Sequence, residues 1–157
     1  MSAKRILVVD DEEHVRDVAL RALKRQGFEV ETADRASSAL EAVERFQPDL
    51  VLTDIMMPDT DGIELTRNIR KGHPDIAIVI MTGYGSVDTA IESLKLGVDD
   101  YIRKPFAWDQ AVASIQAALD KQATTRNNRR YVEDLERNLL TTQRKAGASL
   151  LATVKAL

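Results

Sequence analysis

The sequence predicts a doubly wound α/β domain: a five-stranded parallel sheet with helices on both faces, followed by a helical extension. Three observations predict it. Short apolar runs such as residues 6–9 and 76–81 read as strands buried on both faces. Segments with apolar residues at helical spacing lie between the runs. Strand and helix then alternate five times, a pattern that calls for crossover connections rather than hairpins.

Ile6, Leu7, Val8 and Val9 form the first predicted strand, which ends at Asp10-Asp11-Glu12-Glu13. Val15, Val18, Ala19, Ala22 and Leu23 recur on one helical face, and Gly27 supplies a C-terminal stop. The acids before this helix suit the positive end of its dipole. Residues 28–33 alternate as a half-buried strand, and Ala36, Ala39, Leu40 and Val43 mark a second helix closed by Pro48. Leu50, Val51, Leu52 and Thr53 form a third strand that meets Asp54 and breaks in the turn-rich segment 58–62. Ile63, Thr66 and Ile69 mark a third helix, and residues 76–81 run as a fourth strand into Thr82-Gly83. Val87, Ala90, Ile91 and Leu94 mark a fourth helix, closed by Gly97. Tyr101-Ile102 is a short fifth strand before Lys104-Pro105-Phe106, and Trp108, Val112, Ile115 and Leu119 mark a fifth helix. Right-handed crossovers favour the sheet order 2-1-3-4-5, the flavodoxin-like (βα)5 three-layer arrangement.

Composition bounds the rest. The 157 residues suit one domain plus an appendage, and 44% apolar with 30% charged residues is ordinary for a globular chain. Without cysteine there is no disulfide or thiolate chemistry. No secretory signal or membrane-length apolar run is visible, so the expected location is cytoplasmic. The net charge of −3 hides an asymmetry: from Lys121 onward eight Lys/Arg face three Asp/Glu, giving a tail of +5 and a remainder of −8. The expected division is 1–122 for the globular domain and 123–157 for a helical linker or short coiled-coil extension. Val132, Leu135 and Leu139 have coiled-coil spacing, which Gly147 interrupts. A dimerising linker and a single frayed helix both fit. The cluster Arg126, Arg129, Arg130 has no aromatic interleaving and no recognition motif, so direct nucleic-acid binding by this segment is not expected.

In the predicted order, strands 1, 3 and 4 are neighbours, and their carboxyl ends carry Asp10-Asp11, Asp54 and Thr82. Strand 5 ends beside them at Lys104. Ligands of open α/β sheets bind at such ends. Three adjacent carboxylates repel one another, and oxygen ligands without His or Cys favour Mg²⁺. That cation pairs carboxylates with phosphate oxygens, and a carboxylate can itself take a phosphoryl group. Singly, each residue has a plainer reading. Asp54 would cap a turn, Thr82 end a strand, Lys104 sit in solvent and Tyr101 pack half-buried.

Together, Asp10-Asp11-Glu12, Asp54 with Met57-Pro58 and Gly62, Thr82-Gly83 and Lys104-Pro105-Phe106 match in order and spacing. Over about residues 4–122 the chain resembles the receiver domain of two-component response regulators. The run from Thr82 to Ile91 resembles receivers of the nitrogen-regulatory, enhancer-binding class of transcription regulators. The resemblance implies that Asp54 is the phosphoacceptor and a sensor histidine kinase the phosphodonor. It implies Mg²⁺ held by Asp11, Asp54 and the Met56 backbone carbonyl, with Asp10 acting through water. Thr82 and Lys104 would hold the phosphoryl group, Tyr101 would be the switch aromatic, and Lys104-Pro105 a cis peptide. Gly83 would leave the phosphoryl group accessible, and Met56 and Tyr84 would flank it. The expected consequence is a changed surface on the fourth helix, fifth strand and fifth helix. That surface would control a homodimer, formed there or through the tail, or an output domain outside this chain. The domain would catalyse only its own phosphorylation and slow hydrolysis. Two rivals remain: a dedicated aspartyl-phosphate hydrolase and a docking module that is never phosphorylated.

Overall fold

The computed structural model of the chain describes residues 2–57, 62–83 and 95–156, with side chains as far as residue 142. The turn residues 58–61, Tyr84 and the predicted fourth helix lie outside the described residues. Five strands, β1 (Arg5–Val9), β2 (Glu29–Ala33), β3 (Leu50–Asp54), β4 (Ala77–Thr82) and β5 (Asp100–Arg103), form one parallel sheet in the order β2-β1-β3-β4-β5. Helices α1 (Glu13–Arg25), α2 (Ala36–Phe46) and α3 (Gly62–Gly72) connect them, and a C-terminal helix spans Trp108–Ala156. The order is the flavodoxin-like one that the alternation predicts.

Two apolar layers sandwich the sheet, because successive side chains on a strand point to opposite faces. Ile6, Val8, Leu50, Leu52, Val79, Met81 and Ile102 pack with Ala19 and Leu23 of α1 and with Ile115 and Leu119. Leu7, Val9, Val51, Ile78 and Ile80 pack with Ala39 and Val43 of α2 and Leu65 and Ile69 of α3. The central strands β3 and β4 are buried along their whole length, which is why they read as unbroken apolar runs. Edge strand β2 is buried only at Ala33, which is why it alternates.

The chain terminates its helices as local stereochemistry requires. Gly27 follows α1 with φ +89°, and its N–H donates to the Lys24 carbonyl. Gln47 closes α2 in the left-handed region at φ 51°. The sequence pattern credits that stop to Pro48; the reversal occurs one residue earlier.

The chain divides into two compact units, residues 1–122 and 123–157. The first contains the sheet and ends at Gln122, a buried side chain whose Nε2 donates to the Asp49 and Asp75 carbonyls, both at 2.7 Å. These carbonyls lie just before β3 and β4, so Gln122 ties the helix to the amino edge of the sheet. In the second unit the helix runs through the polar stretch 123–130, which composition alone marks as weakly helical. No proline interrupts it, and Ala123, Arg126, Arg129 and Arg130 favour the helix against Thr124, Thr125, Asn127 and Asn128. Among the described residues no helix is long and apolar enough to cross a membrane.

Among the described glycines, Gly62 makes the tightest backbone approach. A Cβ there would stand 2.2 Å from the Asp54 carbonyl oxygen and 2.8 Å from Ile55 Cα, both backbone atoms. The Gly62 N–H also donates to the Ile55 carbonyl at 2.6 Å. Gly62→Ala should therefore push the end of β3 away from α3 and cost about 1–3 kcal/mol, the scale of an overpacked core. Urea unfolding of the metal-free protein should show a lower midpoint at an unchanged slope.

Candidate functional site

The two-residue period of the strands builds the site. Val8, Leu52 and Ile102 lie in the same apolar layer, on β1, β3 and β5. Asp10, Asp54 and Lys104 each come two residues later, so each emerges on that same face as its strand ends. Parallel pairing puts these ends level. Val9 lies opposite Thr53, Asp54 opposite Met81, and Thr82 opposite Arg103, one residue before Lys104.

One carboxylate oxygen from each of Asp10, Asp11 and Asp54 lies within 4.8 Å of the other two. Asp10 is fully buried and Asp54 nearly so, whereas Asp11 is exposed. The Lys104 ammonium bridges the two buried acids, at 2.9 Å from Asp10 Oδ2 and 3.1 Å from Asp54 Oδ2. The other oxygens of these acids accept backbone donors. Asp10 Oδ1 takes the Glu12 N–H at 2.9 Å, and Asp54 Oδ1 takes the Met56 N–H at 3.2 Å. Burial pushes the Asp54 carboxyl above the ordinary aspartate range, aided by the Asp10 charge and opposed by the Lys104 and Met56 donors. Burial disfavours the Lys104 ammonium, but its bonds to Asp10 and Asp54 prevail and raise its pKa above the ordinary lysine value.

One ammonium faces three carboxylates, so a cation is the natural complement. The donors are all carboxylate oxygens, clustered at one sheet edge, and no His or Cys joins the cluster. Such a donor set fits a hard divalent ion of the Mg²⁺ kind and is wrong for zinc. The residues present therefore fit the group that the sequence suggests.

The other sequence-derived candidates take these places. Thr82 ends β4, is buried, and its carbonyl accepts the Lys104 N–H at 2.7 Å. The Lys104-Pro105 peptide is cis. Met56 is 73% exposed beside Asp54. Tyr101 lies on β5 opposite Ile80 and is 44% exposed. Gly83 has open space where a Cβ would stand. A cavity of about 550 Å³ opens against Lys104, with His14, Val15, Gly83, Phe106 and Trp108 in its walls.

Sequence reasoning missed Arg16, whose Nη1 donates to the Asp10 backbone carbonyl at 2.7 Å. A basic residue five positions past the acid pair, on the helix that covers this sheet face, is the only signal that could have found it.

Comparison with known proteins agrees with this geometry. Residues 6–116 match the family model described as the response regulator receiver domain. The chain is 40% identical over 119 residues to the regulatory protein AtoC of Escherichia coli, covering 76% of this chain and 26% of AtoC. Among solved structures, a CheY-like response regulator receiver domain protein of Methanospirillum hungatei superposes with a TM-score of 0.77 at 36% identity, covering 79% of this chain and 99% of that one. The beryllofluoride-activated NtrC4 receiver domain dimer gives a TM-score of 0.72 at 31% identity, covering 75% and 98%. The chain spans between 26% and 50% of the length of the curated relatives first matched.

The raised Asp54 pKa has a consequence for stability. The folded state holds the Asp54 proton more tightly than the unfolded state does. Its contribution to stability is therefore present at low pH and lost as pH rises through the folded-state value. Asp54→Asn removes that loss. In EDTA at pH 7 the variant should melt above the wild type, and the gap should shrink as pH falls into the ordinary aspartate range, as differential scanning calorimetry would record.

Proposed function

The chain belongs to the response regulator receiver domain family, and from that premise we propose that it is a phosphorylation switch whose acceptor is Asp54 and whose donor is a phosphohistidine of a partner kinase. The observation that carries the reading is the Lys104 ammonium held between Asp10 and Asp54, with Asp11 completing the acid cluster. A buried acid at the end of a strand, flanked by a fixed cation, can act as a nucleophile toward phosphorus.

In this reading one Asp54 carboxylate oxygen bonds to phosphorus as the P–N bond of the donor breaks. The bonding electron pair stays on the imidazole ring, which leaves neutral if its other nitrogen carries the proton. Water attack on phosphorus later releases inorganic phosphate and restores the carboxylate. Lys104 turns its ammonium to a phosphoryl oxygen, and Thr82 donates its hydroxyl to another; both stabilise charge spread over the equatorial oxygens. Asp11, Asp54 and the Met56 carbonyl would hold Mg²⁺, with Asp10 reaching it through water. When bound, the ion supplies positive charge that offsets the acids and the incoming phosphoryl group. The cavity beside Lys104 supports approach of the donor over α1 and the segment after β5.

Sheet register supports a relay. Ile80 is opposite Tyr101, and Thr82 comes two residues after Ile80, so Thr82 and Tyr101 share a sheet face on adjacent strands. Movement of Thr82 toward a phosphoryl group opens space on that face, and Tyr101, half in solvent, turns inward. The altered surface then speaks to a second copy or to an output element. In the 123–157 unit, Val132, Leu135 and Leu139 are 49%, 48% and 58% exposed at three- and four-residue spacing, which suits a partner helix. The likeness to the NtrC4 receiver domain dimer supports a second copy as a partner of the 1–122 unit, and supports the nitrogen-regulatory class.

Incubation with acetyl phosphate and Mg²⁺, read by intact mass, should give a single phosphoryl adduct that Asp54→Ala abolishes. Lys104→Met should slow its formation by about 10²–10³-fold, the scale of one lost charge-stabilising donor. Steady turnover of a small phosphate ester without an adduct would mean a hydrolase instead; neither adduct nor turnover would mean a docking module. In sedimentation velocity, beryllofluoride should shift the monomer–dimer balance of the wild type and leave Leu135→Asp monomeric.

A further inference from the structure

Asp10 is engaged at every polar atom. Its N–H donates to the Ala33 carbonyl at 3.1 Å, Oδ1 accepts Glu12 N–H and Oδ2 accepts the Lys104 ammonium, both at 2.9 Å. The fourth contact is the least expected. Asp10 lies one residue past the end of β1, so its carbonyl is outside the strand ladder. Arg16, half-buried on the first turns of α1, reaches over and donates Nη1 to that oxygen at 2.7 Å. A buried carbonyl beyond the ladder would otherwise lack a partner in the protein.

That carbonyl belongs to the peptide joining Asp10 to Asp11. A peptide is planar, so holding its oxygen fixes the plane and the direction in which Asp11 departs. Asp11 needs such control. It is exposed, and its carboxylate has no hydrogen-bond partner among the described residues. Its carboxylate oxygen nevertheless lies within the 4.8 Å cluster with Asp10 and Asp54. The backbone must supply what the side chain does not.

We propose that Arg16 is a positioning residue for the divalent-cation site: through the Asp10 carbonyl it holds the Asp10-Asp11 peptide so that the Asp11 carboxylate faces the ion. The inference rests on the cation-binding part of the reading above and adds a residue to it. A competing effect makes it decidable. A guanidinium near a cation site repels the ion, so if charge dominates, removing Arg16 tightens binding. If positioning dominates, removing it weakens binding, as loss of a partner that orients a metal ligand commonly does by tenfold or more.

The test is direct binding of Mn²⁺ by electron paramagnetic resonance, with Mg²⁺ in competition, each variant held well below its own metal-free melting temperature. Arg16→Met keeps the aliphatic stem and removes both charge and donor. It should weaken Mn²⁺ binding about tenfold. Arg16→Lys, which restores a donor, should recover most of the loss. Asp11→Ala should also weaken binding, and adding Arg16→Met to it should change little more, because both act through one carboxylate. Unchanged or tighter binding in Arg16→Met overturns the proposal, as do additive losses in the double variant. If the wild type itself binds no divalent ion, the cation-binding reading falls and takes this inference with it. A wild type that binds and variants that bind equally sink the inference alone.

Discussion

One ammonium between two buried carboxylates is the contact on which the rest of this structure depends. Two unit charges at the separations found here repel by on the order of 3 kcal/mol at a protein-surface dielectric. Three acids crowded together thus approach the whole stability of a domain, about 5–15 kcal/mol. Lys104 relieves two of the three, Asp10 and Asp54, and leaves Asp11 facing solvent. The cluster is left short of positive charge. That shortage makes the site receptive to a cation and then to a phosphoryl group, while burial, the largest influence on Asp54, raises its pKa despite a lysine at 3.1 Å.

The sheet keeps that arrangement from collapsing or dispersing. The acids and the lysine are the next outward positions after Val8, Leu52 and Ile102, so the apolar layer beneath them sets their spacing. Parallel strands share one hydrogen-bond register and end together, so residues 94 positions apart in the chain meet at 2.9 Å. Gly62 brings α3 against the end of β3, and Arg16 brings α1 against the end of β1. The site is held from two helices and three strands, which suits a device that must change charge without unfolding.

The switch reading uses asymmetry in exposure. Asp10, Asp54 and Thr82 are buried, whereas Met56 and Tyr101 next to them are open to solvent. In that reading, chemistry on the buried group has only a short distance to travel to the surface. The second unit offers exposed leucines at helical spacing, a surface that gains by pairing.

Much of this was legible before any coordinates. Period-two runs and helical spacing determine the alternation of elements, because burial on both faces of a parallel sheet demands unbroken apolar strands. The motif residues sit at strand ends, and strand ends are where open sheets place ligands, so Asp10, Asp11, Asp54, Thr82 and Lys104 could be named from the sequence. What it could not supply were contacts between chemically ordinary groups. Arg16 reads as a surface arginine and Gln122 as a polar residue near a domain end; each matters because of a backbone carbonyl that only the folded chain brings near. The helical state of residues 123–130 likewise exceeds what their polar composition suggests. The sequence by itself determined which polar side chains gather at the sheet edge, since that follows from where they stand at the ends of period-two strands. Tertiary structure alone decided which backbone oxygens hold them in place, because every residue has such an oxygen and the residue alphabet does not distinguish them.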